Sequence, residues 1–197
     1  MLDTIAVDLG GVAARFVPER RLAALAAVTG LRPDDVDDRI FGQGLDARLE
    51  RGEVDSIDDA LDLVVAAVDR RVDVPTLVRT WSKAFEPDAA VLSILHARAE
   101  TVVVFTNNGP IVDACLDGPL RSVKDACDAV VCSWRLRAVK PDAEAFERFA
   151  AMLGKTPDQL LLVDDSQLNV DGARRAGWEA ALVAGATDLA RALADLQ

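Results

Sequence analysis

The chain has 197 residues, 51% of them apolar, enough for one buried core with an inserted subdomain. Its 33 acidic and 22 basic side chains give a net charge of −11, a surface that repels nucleic acid and anionic membranes, and also a phosphorylated substrate unless a bound cation reverses the sign locally. No apolar run approaches a bilayer span, Asp3 and Asp8 interrupt any leader-like segment, and Cys115, Cys127 and Cys132 form no CxxC pair, so a cytoplasmic protein with reduced thiols is expected rather than a disulfide frame or a zinc site.

The first element is the apolar run Ile5-Ala6-Val7, ended by Asp8 and followed at once by Gly10-Gly11. Continuous apolar residues and then glycine describe a buried parallel strand with a sharp turn after it, which leaves Asp8 at the sheet edge where ligands bind. From Pro18 to about Arg98 the spacing is helical throughout. Leu22, Leu25, Ala26 and Thr29 share a face closed by Gly30. A second helix runs from Pro33 to Phe41 and stops at Gly42, and a third from Leu45 to Glu50. Ile57, Leu61, Val64, Val65 and Val68 keep the same period, as do Leu77, Val78, Trp81 and Phe85 up to Pro87, and then Val91, Ile94 and Leu95. The acidic groups Asp34, Asp35, Asp37, Asp38 and Asp55, Asp58, Asp59 read as helix N-termini, which the helix dipole favours.

The pattern then changes. Thr101–Phe105, Ala129–Cys132, Leu160–Val163 and Ala180–Val183 read as strands, separated by helical segments at Asp142–Leu153, Val170–Ala176 and Leu189–Leu196. Strands alternating with helices predict an α/β fold, a Rossmann-like parallel sheet sandwiched by helices. The helical stretch is an insertion after the first strand, which divides the chain into a core of residues 1–15 and 88–197 and an inserted part of residues 16–87.

Three strands end in polar clusters, Asp8, Thr106-Asn107 and Asp164-Asp165, and Lys140-Pro141 precedes the helix before the last of them. Parallel strands bring their carboxyl ends together, so these clusters converge on one crevice. Three carboxylates beside one lysine call for a hard cation such as Mg²⁺, which takes oxygen ligands and leaves positions for a substrate phosphate. The Thr106 hydroxyl and Lys140 are suited to that phosphate, and one carboxylate remains free to attack it.

These clusters, in this order, resemble the motifs of the haloacid dehalogenase superfamily over nearly the whole chain. Asp8-Leu9-Gly10-Gly11-Val12 resembles the first motif, Thr106-Asn107 the second, Lys140-Pro141 the third, and Asp164-Asp165 with Asn169 the fourth. The resemblance implies that the insertion is a helical cap and that Asp8 is a nucleophile forming an aspartyl-phosphate. It further implies Mg²⁺ held by Asp8, Asp165 and the Gly10 carbonyl, with Asp164 as a further ligand or behind one. Lys140 would neutralise charge, and Thr106 and Asn107 would position the phosphoryl group. The implied partner is a small phosphorylated metabolite. A branch with an Asp-x-Gly-(Asn/Gly)-Val first motif includes phosphatases of sugar phosphates, among them glucose 1-phosphate. The sequence does not give the oligomeric state.

Two departures stand out. Gly10 occupies the place where these phosphatases usually carry a second Asp, the proton donor, so good leaving groups such as aryl phosphates and sugar 1-phosphates are expected to be favoured. Arg137 replaces the glycine common before Lys-Pro, and either reshapes the loop or touches phosphate. Arg48 and Glu50 are candidates to reach substrate from the insertion. His96 reads as a surface residue, and Trp81, Trp134 and Trp178 as packing, with Trp134 closest in sequence to Lys140. Metal-independent 2-haloacid dehalogenation, or a weakly catalytic metabolite-binding protein, remain as alternatives, the first opposed by Asp164-Asp165.

Overall fold

The computed structural model describes residues 2–194. Its centre is a five-stranded parallel sheet made from β1 (Thr4–Val7), β4 (Thr101–Thr106), β5 (Ala129–Cys132), β6 (Leu160–Asp164) and β7 (Glu179–Leu182), in the order β5-β4-β1-β6-β7. The apolar runs are unbroken because helices cover both faces. Ile5, Val7, Val102, Val104, Leu161 and Val163 pack to one side, and Ala6, Val103, Phe105, Leu160 and Leu162 to the other.

The register aligns the strand ends. Val7 lies beside Val104 on one flank and Val163 on the other, so the next residue, Asp8, is level with Phe105 and Asp164. The sequence-derived strands correspond to these five, with shifts of one residue at their ends.

Between β1 and β4 the chain runs through helices at Pro18–Thr29, Leu45–Glu50, Ile57–Val68 and Val74–Trp81, close to the positions expected. Ser56 caps the third of these by accepting the Asp59 N–H, in line with the acidic N-terminus read there. The helix expected over Pro33 to Phe41 is regular only over Pro33–Val36 and continues as a wider turn over Asp37–Gly42, where Gln43 donates to the carbonyl five residues back.

Two expectations need correction. The stretch from Pro18 is not helical throughout, because Phe85 belongs to β3 (Phe85–Pro87), which pairs antiparallel with β2 (Ala14–Phe16). Three-residue strands are too short for alternation to declare itself, and the pair forms the ribbon through which the insertion leaves and rejoins the chain. The short helices at Pro110–Cys115, Arg121–Asp125 and Ser133–Leu136 were not anticipated, since one turn of helix carries little periodic signal. The helix expected over Leu189 to Leu196 is observed as Ala186–Ala194, and its last two expected positions lie outside the described residues.

The insertion also touches the core opposite the ribbon. A Cβ at Gly109 would stand 2.8 Å from Leu49 Cβ, and one at Gly52 would stand 2.3 Å from the Trp134 carbonyl oxygen. Ser133 Oγ donates to the Glu50 carbonyl at 2.7 Å. Missing side chains thus let the segment around Leu45–Glu50 settle directly over the ends of β4 and β5.

Candidate active site

Lys140 is the electrostatic centre of the strand-end crevice. Its side chain is fully buried, and its ammonium donates to Asp8 Oδ1 at 2.8 Å, Asp164 Oδ2 at 2.6 Å and the Phe105 carbonyl at 2.7 Å. An ammonium has three protons, and all three have acceptors. Burial opposes its charge, yet Asp8 and Asp164 together hold its pKa above the ordinary lysine value. Asp8 is pushed the other way. Burial is the main cause that carries its carboxyl up to about 6, the pull of Lys140 being offset in part by Asp164 and Asp165.

The flanking residues are held as firmly. Asn107 Nδ2 donates to the Lys140 carbonyl at 2.8 Å while its Oδ1 accepts the Lys140 N–H at 2.9 Å. The side chain therefore acts as a clamp on the Lys140 backbone and is not free for a ligand. Thr106 is buried at the end of β4, and its Oγ1 accepts from Asn108 Nδ2 at 2.7 Å, which leaves the hydroxyl proton available to the crevice.

Asp164 is completely buried. Its oxygens take bonds from Lys140, from the Ser166 N–H at 2.9 Å and from Asn169 Nδ2 at 3.0 and 3.2 Å. It stands behind the crevice, not in it. Asp165 is exposed at the rim, and the partial burial of its carboxyl, with the adjacent Asp164, raises its pKa. Gly11, with φ of +88°, makes room for it: a Cβ there would fall 2.0 Å from Asp165 Oδ2. Among the hydrogen bonds of this turn, none uses the Gly10 carbonyl.

Above the strand ends lies a cavity of about 220 Å³. The sheet edge contributes Asp8, Gly10, Thr106, Asn107, Asn108 and Asn169, and the ribbon contributes Phe16 and Phe85, whose rings are 5.2 Å apart. The insertion contributes Arg21, Asp46 and Glu50. Asp46 and Glu50 are one helical turn apart, so both face the cavity. Arg21 is 5% exposed, 3.7 Å from Asp46, and enclosed by the rings of Phe41 at 4.3 Å and Trp81 at 4.8 Å, with its Nε lacking a hydrogen-bond partner. Burial works against the Arg21 charge, and Asp46 is foremost in sustaining it.

Sequence reasoning had singled out Glu50 but missed Arg21, Asp46 and the ribbon phenylalanines. A signal for Arg21 existed: it stands four residues before Leu25 and eight before Thr29, on the stripe that the helix buries, where an unexplained charge marks function. Arg48 points away and pairs with Glu53 at 2.8 Å. Trp134 donates to Asp113 at 3.2 Å outside this cavity, and His96 is exposed.

Arg137 does not reach the crevice. It ends the helix Ser133–Leu136 in the left-handed conformation, with φ of 52°, and its guanidinium pairs with Asp55 at the surface. Left-handed backbone costs a non-glycine residue about 1–2 kcal/mol, whereas an exposed pair returns roughly 0–1 kcal/mol. Arg137→Gly is expected to stabilise the fold by up to about 1 kcal/mol in denaturant unfolding. A variant no more stable than the parent would show that the Asp55 pair outweighs the backbone strain.

The chain is similar over most of its length to known proteins. The model of the haloacid dehalogenase-like hydrolases matches residues 2–177. The chain is 30% identical over 191 residues to Phosphatase MT3486 of Mycobacterium tuberculosis, covering 92% of this chain and 87% of that protein. Its structure is similar to that of a predicted HAD-like family hydrolase from Porphyromonas gingivalis, with a TM-score of 0.79 and 20% identity, covering 100% of this chain and 98% of the other. It is also similar to a HAD family enzyme from Bacteroides thetaiotaomicron in complex with magnesium and inorganic phosphate, with a TM-score of 0.76 and 18% identity, covering 92% and 94%. L-2-haloacid dehalogenase from Xanthobacter autotrophicus matches less well, with a TM-score of 0.63 and 19% identity, covering 100% and 84%. No helix among the described residues is long and apolar enough to cross a membrane. A match over most of the chain, joined to a parallel sheet with a helical insertion after its first strand, establishes that the chain belongs to the haloacid dehalogenase-like hydrolases.

Proposed function

We propose that this hydrolase is a Mg²⁺-dependent phosphatase of small phosphorylated metabolites, acting through an aspartyl-phosphate on Asp8. The observation that carries the reading is the buried Lys140 ammonium donating to both Asp8 and Asp164. It keeps a carboxylate ionised and aimed at the cavity, as an attacking group must be. The mycobacterial relative is named a phosphatase, and the Bacteroides structure contains magnesium and phosphate; both support the same chemistry here.

The donor set suits a hard cation. Asp8, Asp164 and Asp165 bring three negative charges against the one of Lys140. The groups open to a cation are two carboxylates, Asp8 and Asp165, and the Gly10 carbonyl. Mg²⁺ ordinarily takes one or two carboxylates and keeps several waters and a phosphate oxygen as ligands, so this small set is sufficient. Asp164 is assigned instead to orienting Lys140. When bound, the cation supplies charge to offset the carboxylates and polarise the phosphoryl group.

The chain's own residues then act in sequence. Thr106 donates its hydroxyl to a phosphoryl oxygen, and Asn107 fixes the lysine backbone. Asp8 attacks phosphorus in line with the departing alcohol. Lys140 holds positive charge beside Asp8 as the negative charge moves toward phosphorus. Water then cleaves the acyl phosphate and restores Asp8.

Residues 16–87 act as a cap over the core of residues 1–15 and 88–197, excluding water and selecting substrate. Arg21, Asp46 and Glu50 with the Phe16 and Phe85 rings suit a hydroxyl-bearing leaving group, so sugar phosphates are the favoured class. The acidic lining opposes a 2-haloacid, whose carboxylate Asp8 and Asp46 would repel.

The test is turnover of p-nitrophenyl phosphate with and without Mg²⁺. EDTA should abolish it and added Mg²⁺ restore it. Asp165→Ala should raise the Mg²⁺ concentration needed for half-maximal rate, with partial recovery at excess Mg²⁺. Full activity in a thoroughly chelated sample would sink the reading.

A further inference from the structure

We propose that Glu50 is the proton donor to the departing alcohol, taking over from the insertion the task that Gly10 has no side chain to perform. The inference rests on the phosphatase reading and deepens it. Three carboxyl groups line the cavity: Asp8, Asp46 and Glu50. Asp8 is bound to Lys140 at 2.8 Å, and Asp46 lies 3.7 Å from Arg21. Among the described residues, Glu50 is the one of the three whose carboxyl has no hydrogen-bond or ion-pair partner.

Its position is built, not incidental. The Ser133 hydroxyl donates to the Glu50 carbonyl at 2.7 Å and accepts the Asn108 N–H at 3.1 Å. The residue that roofs the cavity is thereby tied to the loop that carries Thr106 and Asn108. Leu49 against Gly109 and Gly52 against Trp134 hold the same segment from both sides. Glu50 and Asp8 therefore line one cavity, the space that a phosphate ester and its leaving group would fill.

The surroundings favour the acid form. Burial, then Asp46, carry the Glu50 carboxyl up to about 8; Arg21 and Arg51 pull it down, and Asp8 adds a smaller push upward. At neutral pH it therefore holds a proton.

The step balances. Asp8 forms a bond to phosphorus as the bond from phosphorus to the ester oxygen breaks. The Glu50 proton passes to that oxygen, so the product leaves as a neutral alcohol and Glu50 becomes a carboxylate. In the second step water bonds to phosphorus and gives one proton to Glu50 as the bond from phosphorus to Asp8 breaks, which releases inorganic phosphate and restores the Asp8 carboxylate and the Glu50 carboxylic acid. The dependence on good leaving groups expected from Gly10 is relieved by this donor.

The experiment compares kcat/KM of the parent and Glu50→Gln on a simple alkyl phosphate and on dinitrophenyl phosphate, both with Mg²⁺. Loss of a general acid is typically worth ~10² to 10⁴. The expected loss on the alkyl ester lies in that range and exceeds the loss on the aryl ester by at least about tenfold, since that leaving group departs without a proton. The parent's alkyl-ester profile should fall above about pH 8, and the fall should vanish in Glu50→Gln.

Folding is checked by pH. A carboxyl whose pKa is raised in the fold binds more protons folded than unfolded, so it costs stability as pH climbs from its ordinary value toward 8. Glu50→Gln removes that cost and should melt higher than the parent at pH 8, but not at pH 4. Gly10→Asp added to Glu50→Gln should recover alkyl-ester activity, because a Cβ at Gly10 meets only Phe16, at 3.6 Å, and its φ is not left-handed. Equal losses on both esters, or none, would overturn the role of Glu50 alone. A parent inactive on both esters would overturn the phosphatase reading and the inference with it.

Discussion

Replacing Asp8 by asparagine should lower phosphatase turnover by roughly 10⁴- to 10⁶-fold, the scale seen when a covalent nucleophile is removed. The fold should survive. The amide oxygen of the new side chain would still accept from Lys140, and the substitution removes a carboxylate that burial and its acidic neighbours disfavour. The sign follows from linkage. A carboxyl raised from about 3.8 to about 6 in the fold loses stability as pH rises through that window. In the absence of Mg²⁺, Asp8→Asn should therefore melt no lower than the parent at pH 7.5. Turnover within a few fold of the parent would remove Asp8 from the mechanism. A large drop in melting temperature would make the activity loss uninformative.

The second large effect is on stability. Lys140→Met leaves Asp8 and Asp164 buried without their shared cation, and breaking a buried pair from one side costs about 3–5 kcal/mol. Asp8, which burial already raises, would lose the opposing pull of Lys140 and titrate higher still in the fold than in the unfolded chain. The deficit should be greatest near pH 7 to 8 and shrink toward pH 5. Adding Asp164→Asn should return part of the loss, because the remaining buried charge falls by one. Denaturant midpoints across that pH range measure all of this. A deficit independent of pH would mean that Lys140 contributes packing, for instance through the Phe105 ring 5.0 Å from its Nζ, and not charge.

The sheet was legible in the sequence because burial on both faces forces unbroken apolar runs, and each run of the central strands was visible. The strand-end clusters were legible for a related reason: a polar residue directly after such a run has to emerge at the edge. The ribbon was not, since Ala14–Phe16 and Phe85–Pro87 are held by each other and carry no pattern of their own. Side-chain partners became visible only in the structure: Asn107 binds the Lys140 backbone, and Asp164, expected as a ligand or behind one, is saturated by Lys140, Ser166 and Asn169. No spacing rule distinguishes an oxygen that faces a ligand from one already occupied. The roof of the cavity was the least legible part, because Arg21, Asp46 and Glu50 come together only when the insertion folds back over the sheet.

The most direct test of the central claim is chemical trapping of the phosphoenzyme. The parent would be mixed with p-nitrophenyl phosphate and Mg²⁺, quenched in acid during turnover, reduced with borohydride, and mapped by peptide mass spectrometry. An acyl phosphate on Asp8 is reduced to an alcohol, so the account predicts homoserine at position 8 in substrate-treated enzyme and unmodified aspartate in the untreated control. Turnover proceeding with aspartate intact at position 8, or with the reduced residue at Asp164 or Asp165, would contradict it.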